Sequence, residues 1–333
     1  MARRAVRVVC SLDVEEEGLF RGRYPVAHPQ AANLGHLHKL SDIMALGARP
    51  TLFCAYTVFD SDRAWEACER LCGQSPQGGC EIGCHLHHWN TPPLASQASE
   101  LASVPSCELA RESLSAKLEA LFGRARDRLG FRPTSFRMGR WDIRQSHWDL
   151  LAGAGILADA SVRPLHAENS GHTRPNHFQA PLGPYRIAAG TGTIVELPLT
   201  CAPLFPGLPA LAQRGPRALY HAFHQWGVLA LLPVYHPLWA MQAATLRHLA
   251  CGDSTISLTW HSSEMMPGGN PRLPTEAAVQ GLLEKIRRYL RWLASRCEVS
   301  FMTLGEFARE AGPSLPLAFA QGDADWSTQA PPA

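Results

Sequence analysis

Along the chain, short apolar runs rich in β-branched residues alternate with longer stretches in which apolar residues recur at helical spacing. Parallel βα units produce that alternation, whereas sandwiches and bundles do not. The runs predict strands over Ala5–Leu12, Thr51–Val58, Cys80–His85, Thr134–Arg137, Leu157–Ala160, Thr193–Leu197, Thr255–Trp260 and Val299–Met302. The clearest predicted helix carries Val279, Leu282, Leu283, Ile286, Leu290 and Leu293 on one face and Glu284, Lys285, Arg287 and Arg288 on the other. A second runs from about Cys107 to Leu129, with Leu109, Leu114, Leu118, Leu121 and Phe122 in a stripe and Gly130 as a left-handed cap. The fold class expected from these units is α/β, a distorted (β/α) barrel of about seven or eight parallel strands in a single domain over residues 1–312.

Two segments break the rhythm. Residues 163–185 are rich in Pro, Gly, Asn and His and read as a long ordered loop able to cover a site. Residues 201–252 form a Pro-punctuated insertion, expected to be helical, with Trp226, Tyr235 and Trp239 packed beside the barrel. Residues 313–333 lack apolar period and are expected to be a disordered tail. There is no internal repeat.

Composition narrows the function classes. Of 333 residues, 46% are hydrophobic and 18% charged, which suits a compact fold, and the net charge of +2 comes without a basic run. Nucleic acid and anionic membranes call for clustered Lys and Arg, so neither is an expected partner. The apolar run Val8–Leu12 is too short for a signal-peptide core, and no stretch approaches the ~20 apolar residues that span a bilayer. A cytoplasmic location follows as the expectation. The ten cysteines show no repeated CxxC pair, and reduced thiols are expected. Cys80 and Cys84 bracket a turn near the histidines but are not expected to be ligands.

In a parallel α/β barrel, catalytic groups sit at the C-terminal ends of the strands. The first predicted strand ends in the carboxylates Asp13, Glu15, Glu16 and Glu17, and the third in His85, His87 and His88. Side chains of an extended chain alternate, so His85 and His87 share one side and His88 points away. Two imidazoles and one carboxylate from the first strand make a divalent-metal set that leaves positions open for water and substrate. Ser262 and Ser263 adjoin His261, but the chain lacks the Gly-x-Ser-x-Gly elbow of a serine hydrolase. The loop histidines His166, His172 and His177 are further candidates for touching substrate or closing the site.

These segments, in order, resemble the motifs of the polysaccharide deacetylase superfamily, the NodB-type fold of carbohydrate esterase family four. Ser11-Leu12-Asp13-Val14-Glu15 is similar to the first motif and the His85 cluster to the second. Arg137-Met138-Gly139-Arg140-Trp141 resembles the third, Ala158-Asp159-Ala160-Ser161-Val162 the fourth, and Leu258-Thr259-Trp260-His261-Ser262-Ser263-Glu264 the fifth. His-Leu-His-x-Trp-x-Thr-Pro-Pro, Arg-x-Gly-Arg-Trp and His-Ser-Ser-Glu-x-x-Pro-Gly-Gly are closest to the WalW-like branch. The resemblance implies one divalent metal, expected to be zinc, and hydrolysis of an acetyl group in which a metal-bound water attacks the carbonyl. It implies Asp13 as general base, Arg137 as the residue orienting it, His261 as the acid that protonates the leaving amine, and Asp159 as the tether of that histidine. The family's usual second motif places its second histidine four residues after the first, where this chain has Trp89. The ligands expected here are therefore Glu15, His85 and His87, with Glu16 and His88 as the alternatives. Trp89, Arg140, Trp141 and Glu264 are the expected substrate contacts, and Trp260 flanks the site.

The expected function is a metal-dependent deacetylase, removing an N-acetyl group from an amino sugar or a sugar-containing small molecule. The expected partner is a small-molecule or glycan substrate bearing an acetylated amine. The alternatives are hydrolysis of another amide, such as deformylation or opening of a cyclic imide or ureide, and a non-catalytic carbohydrate-binding protein.

Overall fold

The computed structural model of the protein describes residues 3–24, 31–73, 79–94, 102, 104–167, 176–190 and 192–319. Its strands are β1 (Arg4–Val14), β2 (Thr51–Ala55), β3 (Glu81–Leu86), β4 (Ser135–Met138), β5 (Ala158–Asp159), β6 (Tyr185–Ala189), β7 (Gly192–Glu196), β8 (Cys201–Pro203), β9 (Val228–Ala230), β10 (Thr255–His261), β11 (Cys297–Met302) and β12 (Leu317–Phe319). The main sheet runs β10-β1-β2-β3-β4-β5-β7-β6-β12, with β11 also paired to β1. The eight runs read from the sequence are β1, β2, β3, β4, β5, β7, β10 and β11, and all of these run parallel. The sheet is a curled, open half-barrel, whose far edge is extended by the antiparallel strand β6 and by β12.

Period-two alternation sorts β1 between two cores. Val6, Val8, Cys10, Leu12 and Val14 face the outer helices, whereas Val9 faces an inner cluster. The inner cluster joins Val9, Phe53, Ala158, Val195 and Met302 to Leu304, Phe307, Ala308 and Ala311 of the helix Leu304–Ala311. That short helix fills the concave face and is started by Thr303, whose hydroxyl accepts from the backbone N–H of Glu306 at 3.3 Å. The helix Glu276–Arg296 buries Val279, Leu282, Leu283, Ile286, Leu290 and Leu293 as its period required. The helix Arg111–Leu129 ends at Gly130, at φ 78°.

Several expectations need correction. The apolar run beginning at Thr51 leaves the sheet at Ala55 and becomes the helical turn Tyr56–Asp60, because a continuous apolar run carries no period to tell strand from buried helix. Cys72 and Cys80 form a disulfide rather than staying reduced, and Cys84 is buried on the outer side. Residues 313–319 are ordered, since Leu317–Phe319 pair with β6; residues 320–333 lie outside the described residues.

The 201–252 segment contributes the β8–β9 pair and the helix Leu238–Ala250. Its core is a separate cluster joining Cys201, Tyr220, Phe223 and Ala230 to Leu165, Ala167 and Phe178 of the 163–185 loop. The aromatic residues that suggested packing are largely outside that core: Trp226, Tyr235 and Trp239 are 39%, 45% and 62% exposed. No helix among the described residues is long and apolar enough to cross a membrane.

Candidate active site

Register brings the motifs together. Asp13 pairs with His261 across β1 and β10, and His85 with Arg137 across β3 and β4. All four lie at the C-terminal ends of parallel strands on the concave side, since their neighbours Leu12, Leu86, Met138 and Trp260 belong to the outer core. Arg137 is buried, and its Nη1 meets Asp13 Oδ1 at 2.6 Å and the Thr259 hydroxyl at 2.7 Å. Its Nη2 donates to the Ser11 hydroxyl at 2.7 Å and its Nε to the Ala160 carbonyl at 2.9 Å. The guanidinium is thus fixed from β1, β10 and the chain just after β5, and it fixes Asp13 in turn. His261 Nε2 lies 3.7 Å from Asp13 Oδ2.

Glu15, His85 and His87 converge as a buried group that could hold a metal ion, with ligand atoms within 4.8 Å of one another. Glu15 Oε2 stands 3.4 Å from His85 Nε2 and 3.3 Å from His87 Nε2. Each imidazole is oriented through its other nitrogen: His85 Nδ1 meets the Arg137 carbonyl at 2.9 Å, and His87 Nδ1 meets Glu16 Oε1 at 3.0 Å. Such outer partners fix the tautomer and aim the second nitrogen at a metal. Glu16 therefore supports His87 rather than joining the Glu15 group, and it is itself held by Asn90 at 2.6 Å and Thr57 at 3.2 Å. The donor set suits zinc or a similar divalent ion. Burial alone would raise the Glu15 carboxyl, but hydrogen bonds from His85 and His87 hold it below the usual carboxylate range. Burial opposes charge on His87 as well, yet Glu16 and Glu15 carry its pKa up to about 10.

The loops are held in part by Lys117 and Asn33, which gave no motif signal, and by Ser262, whose place in the fifth motif did not show this role. Lys117, buried on the helix Arg111–Leu129, donates to the carbonyls of Thr91 and Pro93 at 2.8 and 2.7 Å, pinning the chain after the histidines. Asn33 donates to the Glu15 carbonyl at 2.9 Å and to the Ser262 hydroxyl at 2.8 Å. Ser262 also accepts from the Glu15 N–H at 3.2 Å, so it braces the first strand end. A polar residue on an amphipathic helix or a loop looks solvated in one dimension, which hides all of these roles.

Asp159 is not where the tether was expected. Ala158 and Ala160 belong to the inner cluster, so Asp159 between them faces the helix layer. There it accepts from Trp148 Nε1 at 2.7 Å and from the Ser161 hydroxyl. Glu264 faces His261 instead, its Oε1 3.4 Å from Nδ1, while its Oε2 accepts from the His261 N–H at 3.1 Å. Burial lowers the His261 pKa, but Glu264, then Glu15 and Asp13, bring it up to about 9. Glu264 was expected to touch substrate; its place is behind the histidine.

A cavity of about 190 Å³ opens over this constellation, lined by Asp13, Glu15, His85, His87 and His261 together with Phe20, Tyr24, Trp89, Arg140 and Trp141. Trp89 stacks on His87, with ring centroids 4.3 Å apart at 20°. Gly139 lets the next turn approach, because a Cβ there would stand 2.5 Å from the Leu86 carbonyl oxygen and 2.7 Å from His87 Cδ2. Arg140 and Trp141 follow at φ 56° and 61°. A non-glycine residue in that region costs on the order of 1–3 kcal/mol, and such strain clusters at functional sites. Trp260 is buried in the outer core. His177 is buried against the Arg163 N–H, and burial brings its pKa down to about 4; His166 packs on His224, and His172 lies outside the described residues.

No protein-family model matches the chain, nor does any curated protein. Solved structures do. A protein of Mycobacterium smegmatis assigned as a polysaccharide deacetylase superposes with a TM-score of 0.57 at 16% identity, over 97% of this chain and 99% of that one. Another so assigned, from Pseudomonas aeruginosa PAO1, gives 0.52 at 15%, covering 94% and 93%. The PuuE allantoinase gives 0.54 at 12%, also covering 94% and 93%. Together with the strand order and the concave site, these likenesses show that the chain has the fold of the polysaccharide deacetylase superfamily.

Proposed function

We propose that the protein is a metal-dependent hydrolase that removes an N-acetyl group from an amino sugar or a sugar-containing small molecule. The observation that carries this reading is the register pair Asp13–His261 beside Glu15, His85 and His87 in one cavity. A binding module has no use for an acid and a base side by side in one pocket.

Glu15, His85 and His87 would hold the divalent ion, which when bound supplies Lewis acidity to the acyl carbonyl and acidity to water. Asp13, held by Arg137, takes the proton of the attacking water. His261 is kept protonated by Glu264 and gives its proton to the departing nitrogen, which could not leave as an amide anion. Phe20, Tyr24 and Trp89 line the cavity with aromatic surface that limits water around the reacting amide. Asp159 has no part in this scheme.

The small cavity and the shared fold of the allantoinase favour one second reading, hydrolysis of a cyclic ureide or imide with the same residues. The test is the metal content of the purified protein, paired with acetate release from N-acetylated sugars and ring opening of ureides, before and after chelation. About one divalent ion per chain with chelator-sensitive acetate release is the expected result. Ring opening without acetate release would select the second reading, and neither activity with metal restored would overturn both.

A further inference from the structure

Among the described residues, each carboxylate of the site has a cationic or imidazole partner. Asp13 pairs with Arg137, Glu15 with His85 and His87, Glu16 with His87, and Glu264 with His261. Arg140 is the cation of the cavity wall with no carboxylate among those residues. Its Nη1 donates to the Ala102 carbonyl at 2.5 Å, and its guanidinium is clamped between Tyr24 and Trp89, 4.3 and 4.4 Å from the ring centroids. Nε and Nη2 have no protein acceptor among the described residues. On the same wall, the buried Trp89 Nε1–H also lacks an acceptor.

The clamp is built against local preference, since Arg140 and Trp141 are both left-handed and follow a glycine packed on His87. A guanidinium that needed only solvent would not call for such a turn. Its Nε–Nη2 edge matches the paired oxygens of a carboxylate or a phosphate, which the fork of arginine recognises in bidentate fashion. The cavity of about 190 Å³ is smaller than the ~300–1,000 Å³ that encloses drug-sized ligands, so one small unit fills it.

We infer that the substrate is a single small acylated unit bearing an anionic oxygen group, a carboxylate or a phosphate, seated on Arg140 beside the acyl group. This inference rests on the hydrolase reading above. Charge-assisted hydrogen bonds of this kind correspond to a preference of about ten- to a hundredfold.

The test compares kcat/KM for acetate release from N-acetylglucosamine, its 1- and 6-phosphates, N-acetylmuramic acid and a neutral chitin oligomer, with divalent metal supplied. The wild-type protein is expected to prefer one anionic monosaccharide over its neutral counterpart at least about tenfold, less so at high salt. The phosphate and carboxylate arms tell which group is read. In R140Q that ratio should collapse towards one, and R140K should keep part of it. Calorimetric binding of the matching deacetylated products reports the same ratio without turnover. Equal rates on neutral and anionic sugars in the wild type, or an undiminished preference in R140Q, would overturn the inference and leave the hydrolase intact. Absence of acetate from every substrate would instead count against the hydrolase reading itself.

Discussion

The sheet carries two sets of buried carboxylates, and they behave in opposite ways. On the concave side, Asp13 and Glu15 each meet a cationic or imidazole partner and share one cavity. On the helix side, Asp159 and Glu196 are register partners on β5 and β7, with no cation bonded to either among the described residues. Burial raises the pKa of Asp159, and burial and then Asp159 raise that of Glu196 well above the carboxylate range. Burial and the neighbouring like charge both disfavour ionisation of this pair. The same residue type is thus an ion-paired chemical group on one face and half of a carboxyl pair with a structural role on the other. One step along a strand decides which.

The largest effect that would sharpen the contrast is expected from His85→Ala. Bound divalent metal, measured by mass spectrometry, should fall by more than the ~10–100-fold typical of losing an outer partner, and activity with it. Full occupancy in that variant would move the metal elsewhere. Asp13→Asn should lower turnover by about 10²–10⁴ with metal content kept. It also leaves Arg137 buried without its ion pair, and breaking such pairs costs about 3–5 kcal/mol, visible in urea unfolding. His261→Ala should cost at least about 10² in turnover, again with metal retained; a variant that turned over normally would remove the acid from the scheme. Glu16→Gln should weaken metal binding about 10–100-fold through the orientation of His87. The smallest functional effect is expected from Asp159→Asn, less than about tenfold in turnover, with about 1–3 kcal/mol of stability lost through the Trp148 and Ser161 bonds. Should Asp159→Asn match His261→Ala in activity, the distinction between the two faces would fail.

Much of the site was legible because strand alternation is a local rule. His85 and His87 share a side and His88 does not, and Glu15 lies two residues after Asp13 on the same side. The eight parallel strands were legible because short apolar, β-branched runs between stretches of helical period are also a local signal. Asp159 was misplaced because β5 is only Ala158–Asp159, too short for a pattern of its own. Its facing shows only in which neighbours reach the inner cluster.

The sequence by itself determined the strand set, the order of the strand-end residues, and the residue types able to bind metal and move protons. Those follow from periodicity and side-chain chemistry, which are written in one dimension. The tertiary structure alone decided the partners: Glu264 rather than Asp159 behind His261, Glu16 behind His87, Lys117 under the loop, and Arg140 clamped between Tyr24 and Trp89. Apart from Glu264, which the turn starting the short helix Ser262–Met265 brings back to His261 three residues before it, each partner depends on register and loop closure between segments tens to hundreds of residues apart, and no local pattern records those.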